Sequence, residues 1–171
     1  MLQRRVVLGS LALAALPRRG SAQLLGELAP PAGDVVLTVK GHIAVTNGGG
    51  MARFDRDQLL SLGITELRTG TPWTEGVAAF GGVSGKRFLE ALGATGTVLR
   101  ATALNDYKTE IPVSDLFDYP VLLAMSLDGV PLSVRERGPI WVMYPWTDFA
   151  MLDDRVHRQR AIWQLSEIVV E

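Results

Sequence analysis

An α+β domain with a mixed, β-rich core is the fold class this sequence predicts, and three observations carry the prediction. Apolar runs of strand length recur about every eight to fifteen residues, separated by turns rich in Gly, Pro, Asn and Asp. The helical stretches between them are short, and no long amphipathic helix, repeat or low-complexity tract interrupts the series. With 171 residues, 47% hydrophobic and 20% charged, the chain is long enough for a real core and too apolar for disorder.

Residues 1–22 read as a signal peptide. Met1-Leu-Gln-Arg-Arg5 is a positively charged start, Val6 to Leu16 is an apolar run, and Gly20-Ser-Ala22 supplies small residues for cleavage. The run is too short to span a membrane comfortably, so no stable span is expected after cleavage. A buried N-terminal helix is the alternative. Arg4-Arg5 also permits a twin-arginine export route. The address implied is periplasmic or secreted. Without the leader, 13 basic residues face 18 acidic ones, a net charge of −5. An acidic domain lacks the basic face that phosphate binding needs, so nucleic acid is not expected as a partner.

Gln23 to Gly33 carries Ala29-Pro-Pro-Ala32 and reads as a linker with little structure, leaving residues 34–171 as one domain. Asp34 to Thr46 alternates as a strand bent near Gly41, with His42 inside it as a structural or surface residue. Asn47-Gly-Gly-Gly50 is a turn, and Asp57 to Leu62 a short helix stopped by Gly63. Glu66 to Arg68 reads as a short strand, followed by a loop carrying Trp73 and a Gly81-Gly82 pair leading into a helix. Ser84 caps that helix, Gly85 to Leu92, with Phe88, Leu89 and Leu92 on one face.

Val98 to Leu104 is the next strand, Asn105-Asp-Tyr107 a turn, and Lys108 to Ile111 the returning strand. Val113 to Phe117 is one helical turn, and Val121 to Ser126 a buried strand. Asp128-Gly129 makes a hairpin into Val130 to Ser133. Gly138-Pro139 turns the chain into an apolar strand, Ile140 to Tyr144. Pro145 to Asp154 is loop, His157 to Gln159 a helical turn, and Ala161 to Val170 the closing strand.

Little of this is catalytic by pattern. Zero cysteines exclude disulfides and cysteine-bound zinc, iron–sulfur or molybdenum centres, and two histidines make a histidine-rich metal site improbable. No metal ligands are assigned. No Gly-x-Ser-x-Gly nucleophile motif is present, and Asn47 to Gly50 lacks the Lys-Ser/Thr of a phosphate loop. Asp153-Asp154 are adjacent, so their side chains diverge into a solvated loop rather than forming an acid/base pair. Arg135 and Arg137 would share one side of an extended segment, an arrangement able to hold an anion, although such clusters are usually solvent-facing. Trp73, Tyr107, Trp141, Tyr144 and Trp146 fall in or beside turns and strand ends; they are core residues, or several of them line one pocket.

The ordered motifs resemble one family. Leu67-Arg-Thr-Gly-Thr-Pro-Trp73 looks like an Arg-Cys-x-x-x-Trp stretch, and Phe80-Gly-Gly-Val83 with Arg87 to Leu92 like a Trp-x-Gly-x-Pro-Leu segment and its helix. Ala103-Leu-Asn-Asp-Tyr107 with Ile111-Pro112 is similar to a Tyr-x-x-x-Ile-Pro region. Leu122-Leu-Ala124 with Asp128 to Leu132 resembles a Leu-Leu-Ala hairpin. Gly138 to Pro145 and Ile162 to Ile168 are similar to the strands that follow. Together they resemble the molybdopterin-binding domain of the sulfite oxidase family, in its bacterial periplasmic branch.

The resemblance implies a sulfite-oxidase-like fold and a molybdopterin cofactor, with Arg68, Thr69, Trp73, Asn105, Asp106, Tyr107, Arg135 and Arg137 as pocket candidates. It also exposes a departure. The family binds molybdenum through a cysteine thiolate, and here Thr69 stands at that position. A hydroxyl is a poor substitute, because it loses its proton only at far higher pH. Three readings follow: a domain that has lost the molybdenum–thiolate reaction and binds a small ligand or a periplasmic redox or sensor protein; an oxidoreductase holding molybdopterin without a protein thiolate; or a ligand-free interaction module.

Overall fold

A computed structural model describes residues 28–171; the expected signal peptide lies outside the described residues. Among the described residues, two five-stranded sheets account for the strands. The first is built from β1 (Leu37–Gly41), β2 (Ala52–Phe54), β5 (Val98–Ala103), β6 (Lys108–Pro112) and β10 (Leu165–Val170), in the order β2-β1-β10-β5-β6. Its neighbours are antiparallel except β1 and β10, which run parallel. The second contains β3 (Ile64–Gly70), β4 (Val77–Ser84), β7 (Leu122–Leu127) and β8 (Val130–Pro131), with β9 (Trp141–Met143) also paired to β7.

Four short helices fill the connections: α1 (Arg56–Ser61), α2 (Gly85–Leu92), α3 (Val113–Asp118) and α4 (Arg155–Arg160). Each can be short because packing, not propensity, holds it. Asp55 starts α1 with a full capping box: its carboxylate accepts from Gln58 N–H, and the Gln58 side chain accepts from Asp55 N–H. Ser84 caps α2, and Gly93 ends it in the left-handed conformation. The α2 face carrying Phe88, Leu89 and Leu92 is buried, with the Phe88 ring 5.7 Å from Phe54.

Several expectations need correction. The first strand ends at Gly41 rather than Thr46. Gly41 adopts a φ of +89°, and a Cβ there would collide with the Val170 carbonyl, so the chain leaves the sheet where β10 crowds it. His42 therefore lies beyond the strand, exposed. The strand expected at Glu66 to Arg68 runs from Ile64 to Gly70, and the Gly-Gly pair expected to lead into a helix lies inside β4. Gly82 sits against the Leu123 backbone and Gly81 against Ser126 Oγ, with a register shift between them. At Gly82 the β7 backbone passes too close for any side chain. The closing strand begins at Leu165, not Ala161.

The described part of the expected linker, residues 28–33, forms no regular element, yet it is tied down. Ala32 and Gly33 N–H both donate to Asp55 Oδ2, at 2.9 and 3.0 Å, and Gln58 Nε2 donates to Ala29 O. One aspartate thus caps α1 with one oxygen and anchors the preceding segment with the other.

Candidate functional site

The β3–β4 hairpin, β9 and α4 meet around a cluster holding all four tryptophans of the chain. Trp73 is at its centre, with ring centroids 5.8 Å from Trp141, 5.7 Å from Trp146 and 5.6 Å from Trp163. Local chemistry aims it there: Thr71 Oγ1 accepts from Trp73 N–H at 3.1 Å and bonds the Thr74 hydroxyl at 2.8 Å, closing the hairpin tip. Trp141 and Trp146 are buried, and their indole N–H groups donate to Ala161 O and Leu152 O. Trp73 and Trp163 are half-buried and turn one side outward.

That outward side forms one wall of a cleft of about 530 Å³. Asn105 and Tyr107 contribute from the β5–β6 turn, and Asp153, Asp154, Arg155, Arg158 and Gln159 from α4 and its approach. Ala103, Ala161, Ile162 and Trp163 complete the lining. The Tyr107 hydroxyl donates to Gln159 O at 3.1 Å, latching the turn to α4, while Asn105 Oδ1 accepts from Tyr107 N–H.

The α4 side is electrostatically organised. Asp154 caps the helix through Oδ1 to His157 N–H and meets His157 Nδ1 through Oδ2, at 2.8 and 2.9 Å. The bond from His157 N–H, assisted by its ring, holds the Asp154 carboxyl below the usual carboxylate range. Arg158 places Nε and Nη2 at 2.8 and 2.7 Å from Asp153 Oδ1. Behind the helix, Arg160 Nη1 and the Tyr144 hydroxyl both donate to Asp115 Oδ2, at 3.0 and 2.8 Å. Tyr144 is buried, and burial together with the nearby Asp115 charge pushes its phenol well above the ordinary value.

The candidates from sequence divide clearly. Trp73, Asn105 and Tyr107 converge on the cleft; Asp106 is in the same turn, at a φ of +64°, outside the lining. Arg68 lies exposed on β3 and Thr69 is fully buried beneath the hairpin, so neither borders the cleft. The Arg135–Arg137 reading is corrected: Val134–Glu136 is a 3-10 turn and Arg137 adopts a φ of +71°, so no extended segment aligns the two. Arg137 instead stacks over Trp141 and Trp163, at 5.1 and 5.7 Å. Asp153 and Asp154, read as a solvated loop, line the cleft, as do Arg155, Arg158, Gln159 and Trp163. Their signal in sequence was the Asp-Asp-Arg start of a helix; its packing onto the Asn105–Tyr107 turn was invisible.

Thr69, the residue that the resemblance sets against the family's cysteine, is held through its hydroxyl. It accepts from Thr147 N–H at 3.1 Å and donates to Gly70 O at 3.0 Å. Thr147 Oγ1 in turn accepts from Gly70 N–H at 2.8 Å.

A family model for the oxidoreductase molybdopterin binding domain matches residues 53–151, more than half of the chain. The chain belongs to that family. Among solved structures it is similar to the sulfane dehydrogenase SoxCD from Paracoccus pantotrophus, with 16% identity over 78% of this chain and a TM-score of 0.58. At that identity the likeness speaks for the fold, and the expected sulfite-oxidase-like α+β architecture is the one observed. The match spans 37% of the SoxCD chain. No curated protein matches this chain significantly.

The residues present do not fit the metal end of a molybdenum–thiolate centre. The chain has no cysteine, and the Thr69 hydroxyl is buried with its hydrogen bonds already made. Among the described residues no group of three or more His, Asp or Glu is placed to hold a metal.

Proposed function

We propose that this chain is an exported member of the molybdopterin-binding oxidoreductase family that has lost molybdenum–thiolate redox chemistry and binds a small molecule in the Trp73–Tyr107–Trp163 cleft. The observation carrying this reading is the contrast between two places. At Thr69, where the resemblance puts the metal ligand, the hydroxyl is engaged in hydrogen bonds, whereas an aromatic-walled cleft of about 530 Å³, which Thr69 does not border, stands open. That volume falls within the range of small-molecule sites.

The lining selects a chemical class. Indole faces at Trp73 and Trp163 suit a flat, unsaturated ring, and the side-chain amides of Asn105 and Gln159 suit its polar edge. Arg155 and Arg158 are matched in the same lining by Asp153 and Asp154, so the open end offers charges of both signs. A planar heteroaromatic ring with polar substituents satisfies all three, and a pterin is one member of that class. Binding a periplasmic partner over the same mouth is compatible with this reading.

Native mass spectrometry of the protein isolated from its own cells, with elemental analysis of the same sample, tests it. The expected result is an added mass of a few hundred daltons without stoichiometric molybdenum, lost in Trp73→Ala. Stoichiometric molybdenum would overturn the reading in favour of a cofactor held without a protein thiolate. Folded protein with no added mass and no affinity for free pterins would favour an interaction module.

A further inference from the structure

The second sheet ends at β3, whose outer edge is open up to Thr69; at Gly70 the N–H already donates to Thr147 Oγ1 and the carbonyl accepts from Thr69 Oγ1. β3 pairs with β4 through seven consecutive residues without a register shift, and among the described residues no strand lies on its other side. Such an edge presents backbone N–H and C=O groups to any strand that can match it, and proteins commonly guard it with proline, a bulge or charged side chains. Residues 64–70 contain no proline and no bulge, and their two charges, Glu66 and Arg68, are of opposite sign.

What β3 does carry is self-complementary. Strand alternation puts Ile64, Glu66, Arg68 and Gly70 on the outer side, with Glu66 and Arg68 exposed. Leu67 and Thr69 face the core and are buried. In an antiparallel pairing of two β3 strands about a two-fold axis at Leu67, Glu66 of each copy stands opposite Arg68 of the other. The pairing stops short of Gly70, whose N–H is held by Thr147, so the two Glu66–Arg68 pairs form its centre.

The same pattern rejects the neighbouring registers. Moving the axis to Glu66 or Arg68 sets like charges against each other. A one-residue slip sets outer residues against core-facing ones. We propose that two copies of this chain associate through β3, antiparallel about Leu67, so that their second sheets join into one continuous sheet. The occupant is a second copy because the charge order of β3 is complementary to itself, and a closed two-fold pairing uses the same patch on both subunits.

Sedimentation equilibrium over about 1 µM to 1 mM should show reversible monomer–dimer behaviour in the intact protein. Glu66→Arg and Arg68→Glu, each reversing one charge, should weaken association about tenfold or more. The double charge swap should restore it, and an equimolar mixture of the two single variants should form the mixed dimer. Circular dichroism establishes that each variant is folded. A wild-type chain that stays monomeric throughout, or single reversals that leave association unchanged, would overturn the proposal. Hydrogen exchange on the wild type gives a reading independent of any variant. Amides within residues 64–69 should gain protection as concentration rises, and exchange independent of concentration would equally reject the pairing.

Discussion

Thr147 clasps Thr69 from both sides of one peptide: its N–H donates to the Thr69 hydroxyl at 3.1 Å while its own hydroxyl accepts from Gly70 N–H at 2.8 Å. The pair joins β3 to the loop after β9. Thr69→Val keeps the shape and removes the acceptor, leaving Thr147 N–H without its partner. A loss of about 1–3 kcal/mol is expected in urea unfolding. Thr69→Ser, which retains the oxygen, should lose clearly less; equal losses would mean that packing, not the clasp, holds the loop.

Tyr144 gives the alkaline limit. Its phenol is raised above the ordinary 10.0 by burial and by Asp115. Above that value the unfolded chain releases a proton that the folded chain retains. Stability therefore stays flat below about pH 10 and falls as pH rises, by at most about 1.4 kcal/mol per pH unit. In Tyr144→Phe this slope should be absent from the unfolding midpoint measured between pH 9 and 11, although the variant starts lower by about 1–2 kcal/mol for the hydrogen bond removed.

Asp55 sets an acid limit of opposite sign. Hydrogen bonds from Gln58 and Gly33 N–H, the largest causes, hold its carboxyl below the ordinary 3.8. Its contribution is complete above that value and is lost as pH falls through the lowered one. Asp55→Ala should remove this acid-side loss. It should also release residues 29–33, so limited proteolysis at neutral pH should cleave there first. Cleavage patterns identical to wild type would show that the other contacts suffice.

Trp73 touches the other three tryptophans, so its removal should register optically as well as in binding. Trp73→Ala should collapse the near-ultraviolet dichroism of the coupled indoles and cost at most about 3 kcal/mol, the residue being half-buried. Trp73→Phe should keep most of the stability. Unchanged dichroism in both would contradict the cluster.

Gly82→Ala probes the close approach of β4 and β7. Its Cβ would collide with the Leu123 carbonyl, which is backbone and cannot rotate away. Destabilisation of about 3 kcal/mol or more is expected. Gly50→Ala, where the added carbon meets nothing, has only backbone strain to overcome and should be milder, as thermal melts would report.

The elements that sequence located best are those with local causes. Ser84 announces a helix start, Gly63 a stop, and Asp128-Gly129 a hairpin, and each signal acts within a few residues. The failures are all non-local. Gly81-Gly82 looks like a flexible entry to a helix until β7 lies against it, and Gly41 ends a strand because Val170 arrives from the far end of the chain. The site divides the same way. Trp73, Asn105 and Tyr107 advertised themselves as aromatic and turn residues on loops. Arg155, Arg158 and Gln159 look like an ordinary polar helix face; the Tyr107 bond to Gln159 O and the Arg160 bond to Asp115 bring α4 to the same cleft.

The position of β10 bears on how the chain is made. It lies between β1 and β5, in the middle of the first sheet, yet it is formed by residues 165–170. During synthesis β1 and β2 can form only a two-stranded ribbon, separated from β5 and β6, until more than a hundred residues later the wedge between them emerges. Completion of that sheet is therefore a late event by construction. A nascent chain of this sequence is kept from closing prematurely by its own strand order, and it stays open to whatever machinery handles unfolded chains until residue 170 has left the ribosome.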